Sequence, residues 1–132
     1  MFETNKKVQV FDDEFGNLRT LNFSEIPFSV KRLYWISCVP RYAVRGRHAH
    51  KTLEQFFIML SGSVNLVLKN HKFETTLKLT VDSPIIVLMS GVWRELSEFS
   101  SNAVLMVGAS EEYDESDYIR DWDEYVNWLE KQ

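Results

Sequence analysis

The chain has one cysteine and no long apolar run, so it lacks the features that usually cross-link a protein or anchor it in a membrane. Its only cysteine is Cys38, so no disulfide forms within the chain, and a single thiol is typical of a reducing compartment. No run of 18 apolar residues occurs and no apolar segment follows Met1, which predicts neither a membrane-spanning helix nor a signal peptide. We therefore expect a cytoplasmic protein without membrane contacts, in which Cys38 is a small buried residue of a strand.

Basic residues are fewer than acidic ones, which limits the partners that the chain attracts. Fifteen Lys and Arg residues stand against 19 Asp and Glu residues, giving a net charge of −4. The acidic residues crowd the C-terminal end, and the first half keeps a mildly cationic region that contains Lys31, Arg32, Arg41, Arg45 and Arg47. That region is too weak to indicate nucleic acid, but it would attract a phosphorylated metabolite.

Apolar and aromatic residues, by contrast, are plentiful and follow the two-residue period of β-strands. Hydrophobic residues make up 45% of the chain and aromatic residues 14%, enough for one globular domain over residues 1–132. Segments of this kind, separated by turns, predict about ten short strands, an all-β pattern typical of a sandwich or barrel. The predicted strands cover residues 7–11, 18–21, 30–39, the segment around His48 and His50, and residues 55–60, 64–68, 73–79, 85–89, 92–96 and 103–109.

The C-terminal end has a different pattern, typical of an amphipathic helix. Asp117 is a suitable N-cap residue, and apolar or aromatic residues recur after it at helical spacing. We expect this helix to pack on the exterior of the barrel or on a partner subunit. Its predicted apolar face consists of Tyr118, Ile119, Trp122, Tyr125, Val126 and Leu129.

Two histidines in the segment Arg45-Gly46-Arg47-His48-Ala49-His50 are the strongest functional signal. Alternate side chains of a strand share a face, so His48 and His50 are expected to point the same way and Ala49 the other way. The same alternation places Arg32 and Tyr34 on one face of the strand predicted over residues 30–39. Since an apolar strand follows the histidines, we expect a pocket inside a barrel, in which neutral imidazoles act as acid–base catalysts.

The spacing of Gly46, His48, His50, Glu54 and Gly62 resembles the first motif of the cupins, which are double-stranded β-helix or jelly-roll proteins. In metal-binding cupins two His and the Glu are ligands, and a second motif adds another His. The corresponding region here, residues 89–94, has Arg94 and no histidine. A site with two His and Glu54 is conceivable, but an arginine beside a divalent cation is unfavourable, so we predict no metal.

A closer resemblance covers nearly the whole chain. It is carried by residues 26–36 and 91–95, and most specifically by two runs, Arg45-Gly46-Arg47-His48-Ala49-His50 and Tyr113-Asp114-Glu115-Ser116-Asp117-Tyr118-Ile119-Arg120. Together these are similar to the dTDP-4-keto-6-deoxy-D-glucose 3,4-ketoisomerases, small cupins of bacterial deoxysugar biosynthesis. The resemblance implies that the C4 ketone and the C3 hydroxyl exchange places through an enediol or enediolate, without nicotinamide or other cofactor. The product would serve a 3-amino-3,6-dideoxyhexose pathway for surface glycans.

The resemblance also implies roles for individual residues. It assigns the base to His48, with Tyr34 and His50 completing the proton-handling set. Arg45 or Arg94 would stabilise the enediolate or bind the pyrophosphate. Trp93 would either stack on the thymine or pack in the core.

The substrate-binding set includes further residues, and two of its positions bear on the product. We place Arg32 and Gln55 in this set. Family members differ in product configuration at the positions of Phe15 and Arg94: a Tyr with an Arg accompanies a gluco product, and an Arg with a His accompanies a galacto product. Arg94 favours gluco here, although Phe15 lacks the tyrosine hydroxyl.

Partners and alternatives complete these expectations. The resemblance implies a homodimer with exchanged N-terminal strands, and covering a sheet edge with a second chain agrees with it. Two alternatives remain open from the sequence: a 3,5-epimerase acting on the same nucleotide sugar, and a cupin that binds sugar without catalysis.

Overall fold

The computed structural model describes all 132 residues and consists almost entirely of antiparallel strands. One helix, α1 (Trp122–Glu130), follows the last strand, and short 3-10 turns occur at Phe23–Glu25 and Glu115–Asp117. No helix has the length and apolar character needed to span a membrane. The strands are β1 (Phe2–Lys6), β2 (Gln9–Asp13), β3 (Gly16–Thr20), β4 (Arg32–Ser37), β5 (Arg45–His50), β6 (Gln55–Ser61), β7 (Val64–Lys69), β8 (Glu74–Leu79), β9 (Ile85–Leu88), β10 (Trp93–Ser97), β11 (Val104–Ala109) and β12 (Tyr118–Ile119).

Ten of the strands form two five-stranded sheets that pack against each other. The first sheet has the order β1-β9-β6-β11-β4, and the second has the order β12-β5-β10-β7-β8. Phe57 and Leu105 of the first sheet and Leu66 and Leu96 of the second belong to one buried apolar cluster. This arrangement confirms the predicted all-β jelly-roll barrel with a short C-terminal helix.

Strand β4 alternates as its sequence predicts. Arg32, Tyr34 and Ile36 are partly buried, whereas Leu33 and Trp35 are exposed on the outer face of the first sheet. The polar residues of β4 therefore face the space between the two sheets, where a ligand is accessible to both.

The C-terminal helix is present but begins later than predicted. The carboxylate of Asp121 accepts a hydrogen bond from Glu124 N at 3.0 Å and is the N-cap. The prediction that Asp117 caps the helix is wrong, because the carboxylate of Asp117 instead accepts bonds from the segment that follows β5. Tyr118 and Ile119, predicted as helix residues, form β12 and pair with His50 and Ala49.

Other local expectations need correction at the ends of strands. The strand predicted over residues 7–11 is displaced: β1 ends at Lys6 and β2 begins at Gln9. Cys38 is exposed rather than buried, because β4 ends at Ser37 and Cys38 turns the chain with a φ of 58°.

The hairpin of β2 and β3 stands apart from both sheets. It forms its own two-stranded sheet, and every residue of β2 is exposed. A two-stranded hairpin is marginally stable by itself in water. Its apolar residues therefore have no cover within this chain.

Candidate active site

A cavity of about 520 Å³ lies between the two sheets, a volume typical of small-molecule sites. Both sheets contribute polar side chains to its wall, and cationic groups predominate among them. The lining residues are Arg32, Tyr34, Ile36, Val44, Arg45, Gly46, His48, Gln55, Phe57, Arg94, Leu96, Tyr118 and Arg120.

The register of the first sheet brings Tyr34, Gln55 and Arg32 together. β11 lies between β4 and β6, and its Ala109 pairs with Arg32 on one side and with Gln55 on the other. Val107, two residues earlier on the same face, pairs with Tyr34. Because Ala109 is small, the longer side chains on either side of it have room to reach the cavity.

A β-bulge in β5 places the first histidine beside Arg94. In the pairing of β10 with β5, Arg94 lies opposite His48 and Glu95 opposite Gly46, so Arg47 is the extra residue. Gly46 and Arg47 both have positive φ, at 85° and 57°. A Cβ on Gly46 would stand 3.0 Å from the carbonyl oxygen of Arg94, so this close approach of the strands favours glycine.

His48 and His50 point the same way, as the sequence predicts. Their rings meet edge to face with centroids 4.8 Å apart. The ring of Tyr118 contacts both, at 4.8 Å from His48 and 4.3 Å from His50. Only His48 lines the cavity, whereas His50 lies behind it and is 1% exposed.

His50 is held by a carboxylate from the far end of the chain. Its Nδ1 lies 3.2 Å from Oδ2 of Asp117. The same carboxylate accepts bonds from the backbone N–H of Thr52 at 2.9 Å, from the Thr52 hydroxyl at 2.8 Å and from the backbone N–H of Leu53 at 3.1 Å. Since a carboxylate accepts only, Nδ1 of His50 carries the proton and Nε2, which has no partner, keeps its lone pair.

Burial keeps both imidazoles neutral. Burial, followed by the charge of Arg94, lowers the pKa of His48 to about 4. The same two causes, with His48 as a smaller one, lower the pKa of His50 to about 2. Neutral imidazoles are proton acceptors, so at neutral pH His48 meets a molecule in the cavity as a base.

Arg94, Gln55 and Tyr34 form a chain of hydrogen bonds beneath the cavity. Arg94 is 3% exposed, and its Nη1 donates to Oε1 of Gln55. Nε and Nη2 of Arg94 donate to the carbonyl of Val92 at 3.3 and 3.1 Å, and Nε2 of Gln55 donates to the Tyr34 hydroxyl at 3.0 Å. Burial lowers the pKa of Arg94 to about 10 and raises the pKa of Tyr34, so the first is charged and the second neutral at pH 7.

The other predicted substrate-binding residues are divided between the cavity and the exterior. Arg45 lines the cavity, as does Arg32, whose guanidinium lies 5.1 Å from the centre of the Tyr34 ring. Trp93 does not reach it: its side chain is buried beneath α1, 5.2 Å from the ring of Trp122. Phe15 lies at the tip of the β2–β3 hairpin, 90% exposed, and does not line the cavity of its own chain.

Sequence reasoning missed three residues of the site. Tyr118 and Arg120 line the cavity, and the Arg120 guanidinium stacks on the Tyr118 ring at 4.3 Å. Asp117, assigned above to a helix cap, anchors His50. All three lie in the run of residues 113–120 that carried the family resemblance, which was the available signal. Tyr118 and Arg32 also line a second cavity of about 800 Å³, as do His50 and Asp117.

Glu54, the carboxylate considered for a metal site, is not joined to the histidines in a cluster. No group of three or more His, Cys, Asp or Glu side chains is placed to hold a metal ion. The backbone N–H of Glu54 donates to the Ser110 hydroxyl at 2.9 Å, a contact that fixes the start of β6. Metal-free chemistry stays a prediction.

Comparison with known proteins gives consistent matches along the chain. Residues 3–130 match the family model described as FdtA, WxcM-like, C-terminal. A TDP-4-oxo-6-deoxy-alpha-D-glucose-3,4-oxoisomerase of Aneurinibacillus thermoaerophilus is 44% identical over 122 residues, which cover 90% of this chain and 86% of the relative.

Solved structures agree with that match. A mutant of the 3,4-ketoisomerase QdtA from Thermoanaerobacterium thermosaccharolyticum, in complex with TDP-4-keto-6-deoxyglucose, superposes with a TM-score of 0.90 at 38% identity, covering 96% of this chain and 93% of that one. The TDP-quinovose 3,4-ketoisomerase WlaRB of Campylobacter jejuni gives 0.84 at 38% identity, covering 92% and 94%. The chain therefore belongs to the FdtA family, the cupin-type 3,4-ketoisomerases of TDP-linked keto sugars.

Proposed function

We propose that this protein converts TDP-4-keto-6-deoxyglucose into a TDP-3-keto-6-deoxyhexose. The observation that carries the proposal is the neutral imidazole of His48 in the wall of a 520 Å³ cavity, with the Tyr34 hydroxyl lining the same cavity. The relatives that are 38–44% identical along nearly the whole chain are named for 3,4-isomerisation of TDP sugars. A base and a phenol in the wall of one cavity are the groups that enolisation needs.

The reaction moves protons at two carbons and two oxygens and needs no external oxidant or reductant. The C4 ketone acidifies the hydrogen on C3; His48 removes it while the Tyr34 hydroxyl gives its proton to the C4 oxygen, and the enediol forms. Tyr34 then regains a proton from the C3 hydroxyl as the His48 imidazolium gives its proton to C4. C3 ends as the ketone and C4 as the alcohol, so that atoms and electrons balance. His50 is the third member of the proton-handling set, and its bond to Asp117 fixes the tautomer of its ring.

The cationic groups at the cavity suit the diphosphate of the substrate. Arg45 and Arg32 line the cavity, and the buried Nε of Arg32 has no hydrogen-bond partner within the protein. Arg120 lines it too, but Glu115 holds its guanidinium through two bonds of 2.7 and 2.9 Å. We therefore assign diphosphate binding to Arg32 and Arg45, because planar guanidinium groups match phosphate oxygens.

Arg94 supports the gluco configuration of the product. It is buried directly opposite His48 in the pairing of β10 with β5, and its charge acts on the imidazole that gives the proton to C4. WlaRB, 38% identical, is named for TDP-quinovose, a sugar of gluco configuration. The product configuration follows from the proton coupling constants of the C4 alcohol.

Deuterium incorporation tests the reaction, and His48→Asn tests the base. In D2O, a ketoisomerase forms the 3-keto product and labels C4 with deuterium to the extent that the His48 imidazolium exchanges its proton with solvent. A 3,5-epimerase puts deuterium at C5, whereas a protein that only binds sugar leaves the spectrum unchanged. We expect His48→Asn to lower kcat by about 10²-fold or more and to retain TDP binding, because only the proton acceptor is lost. Proton NMR of the reaction and calorimetric titration with TDP measure both. A His48→Asn enzyme with the wild-type rate would remove His48 as the base.

We also propose that the protein forms a homodimer with exchanged N-terminal strands. The apolar Phe11 and Leu18 of the β2–β3 hairpin are 57% and 60% exposed, and Leu33 and Trp35 are 42% and 65% exposed on the outer face of the first sheet. Large exposed apolar patches mark interfaces. A hairpin that crosses to a second copy covers its own apolar residues and carries Phe15 to the partner.

A further inference from the structure

We propose that Gln55 is a positioning residue that turns Tyr34 into a proton donor directed at the cavity. Arg94 sets the orientation of the Gln55 amide, and the amide sets the direction of the Tyr34 hydroxyl. The proposal rests on the ketoisomerase function proposed above. It replaces the expectation that Gln55 binds substrate, because Gln55 is 2% exposed and both ends of its amide are already bonded inside the protein.

The first step is the orientation of the amide. A guanidinium has five N–H donors and no acceptor, so only the oxygen end of Gln55 bonds to Nη1 of Arg94. Two other nitrogens of Arg94 are bonded to the carbonyl of Val92, which holds the guanidinium in place. With Arg94 fixed and charged, the reverse orientation of the amide would put two donors face to face. The amide therefore has one orientation.

The second step is the direction of the phenol. Nε2 of Gln55 lies 3.0 Å from the Tyr34 oxygen, and an amide nitrogen only donates, so the Tyr34 oxygen accepts this bond. The hydroxyl hydrogen must then point away from Gln55. The Tyr34 hydroxyl makes no other hydrogen bond in the protein, and the Arg32 guanidinium over the Tyr34 ring is also only a donor. The remaining direction is the cavity that Tyr34 lines.

The consequence for the reaction is a chain of donors that begins at a buried positive charge. Each donor in the sequence Arg94, Gln55, Tyr34 polarises the next, and hydrogen bonds in such chains strengthen one another. The chain ends at the oxygen on which negative charge develops during enolisation, where preorganised donors lower the barrier. Because burial raises the pKa of Tyr34, its proton stays in place until the substrate needs it.

The variant Gln55→Glu tests the direction of the bond. A carboxylate of nearly the same size keeps a partner for Arg94, but it has no N–H, so Tyr34 would donate its proton to the carboxylate instead of to the substrate. We expect kcat to fall about 100-fold while the Kd for TDP and the midpoint of urea unfolding stay near wild type. A weaker Kd for TDP with an unchanged kcat would overturn the proposal and return Gln55 to substrate binding.

A second variant separates this effect from the new charge. A buried carboxylate also raises the pKa of the nearby histidines, which by itself alters the rate. In a Tyr34→Phe background there is no hydroxyl to redirect, so Gln55→Glu should change kcat by less than about threefold. A further loss of about 100-fold in that background would overturn the proposal. Gln132→Glu, the same change at an exposed residue, is the matched control and should keep the wild-type rate.

A readout without substrate keeps this inference separate from the proposed function. If the wild-type protein leaves TDP-4-keto-6-deoxyglucose unchanged, the proposed function fails, and the bond is then judged by the pKa of Tyr34. NMR of protein with tyrosine isotope-labelled at Cζ, assigned with Tyr34→Phe, measures it. Gln55→Glu should raise this pKa, since an N–H donor to the phenolate is lost and a negative charge is added. An unchanged pKa would overturn the positioning role.

Discussion

His48 and His50 carry the same side chain on the same strand, yet they occupy different surroundings. His48 lines the cavity, and its ring contacts the rings of both His50 and Tyr118. His50 is almost fully buried and is anchored through Nδ1 by Asp117. In the proposed reaction the base His48 and the second imidazole, whose tautomer is fixed, therefore have different roles, although only Ala49 lies between them in the chain.

Both histidines make the free energy of unfolding depend on pH. An unfolded imidazole titrates near 6.5, whereas the folded pKa values are about 4 for His48 and about 2 for His50. Below pH 6.5 the unfolded chain therefore binds more protons than the folded one. We expect full stability above pH 6.5 and a loss of up to about 1.4 kcal/mol per pH unit for each histidine as the pH falls from 6.5 to 5.

Urea unfolding at a series of pH values measures this slope. His48→Asn should remove about half of it, because one of the two protons no longer binds to the unfolded chain. His71→Asn, at an exposed turn, is the control for losing any histidine. A wild-type stability that does not change between pH 7 and 5 would show that the folded imidazoles bind protons as readily as unfolded ones, which contradicts the conclusion that burial keeps them neutral.

At the residue scale the sequence predicts which side chains reach the cavity but not which hydrogen bonds join them. Period-two alternation is enough to place Tyr34 and Arg32 on one face of β4. It likewise places the two histidines on one face of β5. The bond between Gln55 and Tyr34 depends on their pairing across β11, and the bond between His50 and Asp117 joins residues 67 positions apart. Such contacts follow from strand order and register, which local patterns do not specify.

At the scale of single elements, the sequence predicts a strand well where its apolar residues form a clear pattern. It does not predict features that depend on contacts with distant segments. β4, β6 and β7 lie within two residues of their predicted ends, because each has a clear apolar face. β12 has only two residues and exists because Tyr118 pairs with His50, so no local sequence pattern predicts it. The local sequence does not predict the bulge at Arg47 either, since the bulge depends on the approach of β10 to Gly46.

The start of the helix is the element on which sequence and structure disagree most clearly. Two aspartates are plausible N-caps by type, and only Asp121 bonds to the first turn of α1. We expect Asp121→Ala to lower the free energy of unfolding by about 1 kcal/mol and to leave the rate unchanged, because the helix packs on the outer face of the second sheet. Urea unfolding and the isomerase assay measure both, and Asp123→Ala, an exposed residue of the first turn, is the control. An unchanged stability would contradict the cap.

At the scale of the whole molecule, the two sheets differ in what covers their outer faces. Helix α1 covers the second sheet, where Ala49, Trp93, Ile119 and Tyr125 form a buried cluster. The Tyr125 hydroxyl fastens this contact by donating to the carbonyl of Gly91 at 2.8 Å. The first sheet is covered only in part: the segment that contains Ile26 and Phe28 buries Phe56 and Val87. Trp35 on the edge strand β4 is 65% exposed, and Leu60 on β6 is 49% exposed. A second copy of the chain supplies the missing layer in the proposed dimer.

Trp35→Glu tests whether that layer exists. A charge at the centre of an apolar interface is buried without a partner, so we expect the variant to sediment as a monomer at concentrations where the wild type is a dimer. The fold should survive, because Trp35 points away from the core between the sheets. Thr76→Glu, an exposed position on β8 of the other sheet, adds the same charge away from the proposed interface and should remain a dimer. A wild-type protein that sediments as a monomer at all concentrations would contradict the homodimer, and a dimeric Trp35→Glu variant would place its interface elsewhere on the surface.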